Sequence, residues 1–269
     1  MSTFLIHAHR GDRQFYPENT TEAFLSAVRC GSHAIEMDVV ISACGKAVVS
    51  HDPFFSSTIC TGFEHLPNNL YKLNYEQIET VNCGFPAHTD FPKQKVSNTS
   101  KPLLSNVIQA VTKYCDDKQY GLPNFNIEIK SAKTYEPIYQ PSPGEFAEIV
   151  AQTVLSYLDY GKFSLHSFDV RILQYLKTHY PQVRLGYLTE SAESAEKHLD
   201  RLKFKPQVYG IDYTLLTKAD TDFLRGENII NLPFTVNNVN DMIRLRDMGA
   251  NGVVTDVPRV ATKLFRKLR

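Results

Sequence analysis

The stretch Ala34-Ile-Glu-Met-Asp-Val-Val40 reads as a short strand, apolar and β-branched apart from two carboxylates. Thr21–Arg29, before it, spaces its apolar residues three and four apart, which is the period of a helix. The same alternation repeats along the chain. Runs of strand type fall at Phe4–His7, Ala34–Val40, Asn126–Ile129, Phe163–His166, Val183–Tyr187, Val208–Asp212, Ile229–Val236 and Gly252–Val254. Helical patterns lie between them, at Leu104–Tyr114, Phe146–Tyr157, Val170–Thr178, Glu193–Leu202 and Val239–Met248. Strands alternating with helices build a parallel sheet, and eight such units close a (β/α)8 TIM barrel. We therefore expect an α/β fold, with residues 1–269 forming one domain. Barrels of about 250 residues are routinely single domains.

One stretch breaks the rhythm. His51 to about Pro102 is rich in Pro, Asn, Ser, Thr and Gly, with one short helical patch near Tyr75–Val81. It is too long for a plain βα loop, so residues 53–102 are expected to form a small insertion, and long insertions in compact domains are usually functional. The basic run Lys263-Leu-Phe-Arg-Lys-Leu-Arg269 reads either as a closing barrel helix with cations at its negative end or as a contact for membrane or nucleic acid. The helix is the preferred reading.

Composition excludes several classes. With 42% hydrophobic and 22% charged residues the chain furnishes a large core and is not disordered. Lys+Arg and Asp+Glu balance at 29 each, so no global positive field collects nucleic acid, and an anionic substrate must be held locally. Cys30, Cys44, Cys60, Cys83 and Cys115 form an odd set without C-x-x-C or zinc-type spacing, and read as reduced thiols. No apolar run of about 18 residues is present to span a bilayer. The N-terminus lacks a secretory h-region, which makes the cytoplasm the expected location. Monomer and homodimer fit equally well.

In a barrel of this kind catalytic groups gather where strands end and βα loops begin. The first run is followed by His9-Arg10-Gly11, the second carries Glu36-Met-Asp38, a short run after it ends in His51-Asp52, and the third leads into Glu128-Ile-Lys130. Residues two apart on a strand share a face, so Glu36 with Asp38, and Glu128 with Lys130, are brought toward one region. Three crowded carboxylates repel unless a cation neutralises them, and carboxylate-only ligation selects a hard ion, magnesium (Mg²⁺) or calcium (Ca²⁺). The other reading of these acids is as solvated strand ends or ion-pair partners of Arg10 and Lys130. His9 and His51 suit general acid and base work near neutral pH, and each could equally be a packed structural residue. Arg10 and Lys130 suit a phosphoryl anion, with a structural ion pair of Arg10 to Glu18, Asp52 or Glu36 as the alternative. Gly11 allows a sharp turn, and Pro17-Glu18-Asn19-Thr20 reads as the capped start of a helix.

These residues in this order resemble the glycerophosphodiester phosphodiesterase family. The resemblance runs through His9-Arg10-Gly11, Pro17–Thr20, Glu36-Met-Asp38-Val39, His51-Asp52, Asn126-Ile-Glu128-Ile-Lys130 and Gly252-Val-Val-Thr255-Asp256-x-Pro258, almost the whole chain. It implies one divalent cation on Glu36, Asp38 and Glu128, His9 and His51 as the acid–base pair, and Arg10 and Lys130 on the phosphate of a small glycerophosphodiester. The family chemistry has the metal polarise the phosphate and the glycerol 2-hydroxyl while one histidine takes a proton and the other protonates the leaving alcohol. Many members carry a Trp before Thr-Val-Asn; here Phe234 stands there, and the chain has no Trp. Phe168, in a family-like Ser-Phe, is expected to line the same pocket or simply to pack. Two other functions stay open. A phospholipase D-like or C-like enzyme on the same barrel would take intact lipid, for which the insertion's Phe54, Phe55 and Phe63 could supply an apolar rim. A non-catalytic phosphodiester-binding module would normally have lost a histidine or a metal carboxylate.

Overall fold

The computed structural model describes residues 3–267. Its strands are β1 (Leu5–Ala8), β2 (Ala34–Ile41), β3 (Ala47–Val49), β4 (Asn124–Ile129), β5 (Phe163–Ser167), β6 (Arg184–Thr189), β7 (Val208–Ile211), β8 (Ile230–Asn231) and β9 (Gly252–Thr255). The helices are α1 (Thr21–Cys30), α2 (Tyr75–Ile78), α3 (Leu104–Lys118), α4 (Pro143–Leu155), α5 (Val170–His179), α6 (Ala195–Leu202), α7 (Lys218–Gly226), α8 (Val239–Met248) and α9 (Pro258–Lys267).

Eight strands pair in parallel in the order β8-β7-β6-β5-β4-β2-β1-β9. The ring closes beyond β8, where the Val236 N–H donates to the Val254 carbonyl at 2.9 Å and the Val254 N–H to the Pro233 carbonyl at 3.0 Å. This is the (β/α)8 barrel, with β3 added as an antiparallel partner of β2. Every residue of β2 is buried, as expected of a strand covered on both faces. Outside the ring, Phe24 and Ala27 of α1, Val107 and Val111 of α3, and Phe146 and Val150 of α4 belong to one continuous core with the strands. Burying each large side chain there contributes about 1.5–3 kcal/mol.

β8 is shorter than the run Ile229–Val236 that marks it, because Pro233 has no N–H to donate to a ladder. α7 has no counterpart among the helices expected above. Its apolar stripe is thin, with Leu224 its one buried large apolar residue, and it is organised by a Thr217–Asp220 capping box. α9 confirms the closing-helix reading of the basic run as far as Lys267, with the Phe265 ring 4.4 Å from that of Phe4; Leu268 and Arg269 lie outside the described residues. Among the described residues no helix is long and apolar enough to cross a membrane.

Residues between β3 and α3 carry a second, smaller core of Phe55, Leu70, Leu73, Tyr75, Ile78 and Val81, packed on Val40 and Val48. Phe63 joins it, with its ring 5.3 Å from that of Phe55, so two of the three phenylalanines named above for an apolar rim are turned inward. Cys60 and Cys83 are joined there by a disulfide. This corrects the expectation of five reduced thiols; Cys30, Cys44 and Cys115 remain free. A pair 23 residues apart has no spacing signature, and only the fold of the insertion brings the two together.

Candidate active site

The turn after β1 sets the site. Gly11 has φ +89° and sits against α1, where a Cβ would lie 2.7 Å from Ala23, so glycine is required. The Gly11 N–H closes the turn on the Ala8 carbonyl at 3.1 Å. Arg10 then donates its backbone N–H to Glu36 Oε2 at 2.8 Å. The chain returns so that the Asn19 N–H reaches the Arg10 carbonyl at 3.0 Å, while Thr20 caps α1 by accepting from the Ala23 N–H. Pro17–Thr20 is therefore the expected capped entry to α1, with Thr20 as its capping residue. Asn19 Nδ2 donates to Asp38 Oδ2 at 2.8 Å, and Glu18 accepts from Arg10 at 2.9 Å.

β2 and β4 lie side by side with Glu36 opposite Asn126 and Asp38 opposite Glu128. This register gathers Glu36, Asp38 and Glu128, all buried, with ligand oxygens within 4.8 Å of one another. Lys130 Nζ lies 2.6 Å from Glu128 and 3.7 Å from Asp38, and Arg10 Nε lies 3.1 Å from Asp38. Burial opposes ionisation of Asp38, yet Arg10 and then Lys130 prevail and hold its carboxyl well below the usual range. Glu36 goes the other way: burial, then the charges of Asp38 and Glu128, push it well above the usual range. A carboxylate crowded in this way is short of positive charge. Three hard oxygen donors with that deficit fit a divalent cation. The Arg10 Nε–H, although close to Asp38, is a buried donor without a hydrogen-bond partner.

Both expected histidines are held through Nδ1 by a carboxylate. His9 meets Asp256 Oδ1 at 2.7 Å, and Asp256 is in turn fixed by Asn237 at 2.8 Å and faced by Arg13 at 3.5 Å. Burial works against the Asp256 charge, but His9, Arg13 and Asn237 keep its carboxyl well below the usual range. His51 meets Asp52 Oδ1 at 2.8 Å, and its hydrogen bond and charge similarly outweigh burial and lower Asp52. An ionised carboxylate only accepts, so in each neutral imidazole Nδ1 carries the proton and Nε2 is left to accept one. His9 is 15% exposed and His51 34%, so His51 stands nearer the solvent.

From His9, Glu36 and Glu128 a pocket of about 420 Å³ runs down into the barrel. Asn126 and His166 line it on the polar side, and Phe168, Leu188, Leu232, Phe234 and Val254 on the apolar side. Phe168 and Phe234 meet edge to face at 5.8 Å, and Lys130 Nζ lies 5.6 Å over the Phe168 ring. Below, burial drives His7 and His166 down to about 3, so both stay neutral and structural. The structure thus gathers His9, Arg10, Glu36, Asp38, Glu128 and Lys130 around one centre, with Phe168 and Phe234 on the adjoining wall. His51 lines a neighbouring small cavity with Glu18, Asn19 and Lys101. Glu18, Asn19, Asp256 and Lys101 are the functional candidates that sequence reasoning did not single out. Asp256 had a signal in the Thr255-Asp256-x-Pro258 motif, and Lys101 had none.

A sequence profile of the glycerophosphoryl diester phosphodiesterase family matches residues 9–260. The glycerophosphodiester phosphodiesterase of Bacillus subtilis (strain 168) is 26% identical over 274 residues, spanning 98% of this chain and 86% of that protein. Its namesake from Bacillus altitudinis is 27% identical over 265 residues, spanning 98% and 99%. Among solved structures, an Oleispira antarctica phosphodiesterase in complex with the product sn-glycerol-3-phosphate superposes with a TM-score of 0.80 at 20% identity, covering 97% of this chain and 96% of that one. The Thermotoga maritima glycerophosphodiester phosphodiesterase gives 0.68 at 24% identity over the full length of both. At such identities the structural likeness speaks to the fold.

Proposed function

The chain belongs to the glycerophosphoryl diester phosphodiesterase family, and from that premise we propose that it hydrolyses glycerophosphodiesters to glycerol 3-phosphate and an alcohol, with residues 1–269 as one catalytic domain and 53–102 as its insertion. The observation that carries the reading is the pair of carboxylate-held histidines at a buried three-carboxylate cluster. Glu36, Asp38 and Glu128 would hold one Mg²⁺ or Ca²⁺, which supplies Lewis-acid polarisation of phosphate and hydroxyl oxygens.

The chain's own residues account for the proton traffic. The phosphate would accept the unpartnered Arg10 Nε–H and face the Lys130 ammonium. The glycerol end would enter the pocket, with its carbons on Leu232 and Phe234 and its hydroxyls toward His9 and Asn126. His9 Nε2 takes the proton of the 2-hydroxyl as that oxygen bonds to phosphorus. The bond from phosphorus to the head-group oxygen breaks, and protonated His51, on the more exposed side, gives that oxygen its proton. Water then opens the cyclic phosphate with the roles reversed: His51 takes a proton from water, and His9 returns one to the glycerol oxygen. Asp256 and Asp52 stabilise each imidazolium in turn.

The intact-lipid alternative leaned on an apolar rim from Phe54, Phe55 and Phe63; Phe55 and Phe63 pack on the insertion's own core and Phe54 is half-buried, while Phe85 of the insertion is exposed. The test is release of glycerol 3-phosphate from a panel of glycerophosphodiesters with EDTA, with Mg²⁺ and with Ca²⁺, alongside intact phospholipid. Turnover of soluble diesters restored by one of the two ions is the expected result. Turnover of lipid alone, or binding of diesters without turnover, would replace this reading with one of the two alternatives.

A further inference from the structure

Lys101 is a buried lysine, 7% exposed, at the point where the insertion rejoins the barrel. Its stretch is stitched on both sides. The Cys83 N–H donates to the Thr99 carbonyl at 2.7 Å within the insertion, and the Val49 N–H of β3 donates to the Pro102 carbonyl at 2.8 Å. The backbone therefore delivers the ammonium behind the end of β3, where His51 and Asp52 follow. Lys101 Nζ donates to Ser50 Oγ at 2.8 Å, and Ser50 Oγ donates to the Asp52 carbonyl at 2.6 Å. Ser50 is fully buried, and its N–H is held by the Asp38 carbonyl at 2.9 Å. One residue thus ties the strand of the carboxylate cluster, by its N–H, to the return of the insertion and the His51-Asp52 turn, by its hydroxyl.

Burying an ammonium costs several kcal/mol unless a carboxylate meets it directly, and among the described residues Lys101 Nζ donates to a neutral hydroxyl. The charges that act on it are Glu18, Asp52 and Asp38, with Arg10 opposing, and all belong to the site. It lines a small cavity with Glu18 and His51. A methionine of similar length would fill that space at less cost to folding, so the ammonium makes little sense as a device for stability. It makes sense as a device for the turn.

Building on the hydrolase reading above, we propose that Lys101 is a positioning residue for His51. Through Ser50 it fixes the Asp52 carbonyl, and with it the turn that sets the Asp52 carboxylate against His51 Nδ1–H, so that Nε2 points at the reacting ester.

The experiment is a double-mutant cycle on glycerophosphodiester turnover in the full chain with its cation. Lys101→Met is expected to lower kcat about tenfold with KM within about twofold, while the melting temperature stays level or rises. Ser50→Ala, which cuts the same path without touching the charge, should move kcat in the same direction by less. In a His51→Ala background neither change should lower the residual rate further, because the group they position is gone. Full kcat in Lys101→Met overturns the proposal, and so does a loss that persists without His51. If Lys101→Met fails to fold, Ser50→Ala alone and in the His51→Ala background decides the matter. Absence of turnover in the unmodified protein on every diester would overturn the hydrolase reading itself, a distinct failure.

Discussion

The two sides of the barrel mouth are built on different principles. β1, β2 and β4, with the loops that follow them, carry Arg10, Glu36, Asp38, Glu128 and Lys130, nearly all buried and ion-paired. β5 to β9 and their loops present Phe168, Leu188, Leu232, Phe234 and Val254 to the same pocket. One side holds charge in a low-dielectric setting, where electrostatic interactions are strong; the other gives shape and excludes water. Asp256 crosses the divide, because it follows β9 yet serves His9. The difference teaches that damage on the charged side should appear in turnover, and damage on the apolar side in substrate binding.

That contrast can be broken by experiment. The largest effect is expected for His9→Ala or His51→Ala, each lowering kcat by about 10³-fold with an unchanged melting temperature; retained turnover in both would remove the acid–base pair from the charged side. Next comes Glu18, held at about 2 by Arg10 and Arg13 against the opposing effect of burial. Its carboxyl is lowered, so its stabilisation is complete above the ordinary value of 4.5 and is lost as the pH falls through about 2. Urea unfolding should show stability on the order of 3 kcal/mol disappearing across that window, and Glu18→Gln should flatten it. An unaltered acid limb in the variant would show that Glu18 does not brace the cluster.

Asp256→Asn keeps the size of the side chain but leaves the His9 imidazole without a fixed tautomer, so kcat should fall by 10- to 100-fold, roughly, while KM holds. An equal rise in KM would move Asp256 to the binding side. The smallest effect belongs to the apolar wall. Phe234→Leu removes the edge-to-face contact with Phe168, worth about 1 kcal/mol, and should raise KM several-fold with kcat nearly constant. A kcat defect larger than the KM defect would erase the distinction between the two sides.

Much of this was legible in the sequence, and the part that was not has a common cause. The barrel could be read because each strand and helix announces its own period locally, as Ala34–Val40 and Thr21–Arg29 do. The carboxylate cluster could be read because Glu36 with Asp38, and Glu128 with Lys130, are two apart on strands, and two-residue spacing fixes a face. Lys101 could not be read, because a lysine after Asn98-Thr99-Ser100 looks like any loop cation until the insertion folds it beneath Ser50. The Arg10–Glu18 pair stood in the sequence only as one of three pairings open to Arg10, because it is the Gly11 turn that brings the two within reach. The Cys60–Cys83 pairing depended on a core that composition alone does not outline.

β1 lies between β2 and β9, so the first strand is completed by the last. His9 and Asp256 are 247 residues apart in the chain, which at ribosomal speed separates their synthesis by roughly 10 to 50 s. A nascent chain that already displays the carboxylate cluster and both histidines still lacks the carboxylate that meets His9 and the strand that completes the ring beside β1. The ring and the His9–Asp256 contact are thus both tied to completion: neither can form before β9 is made.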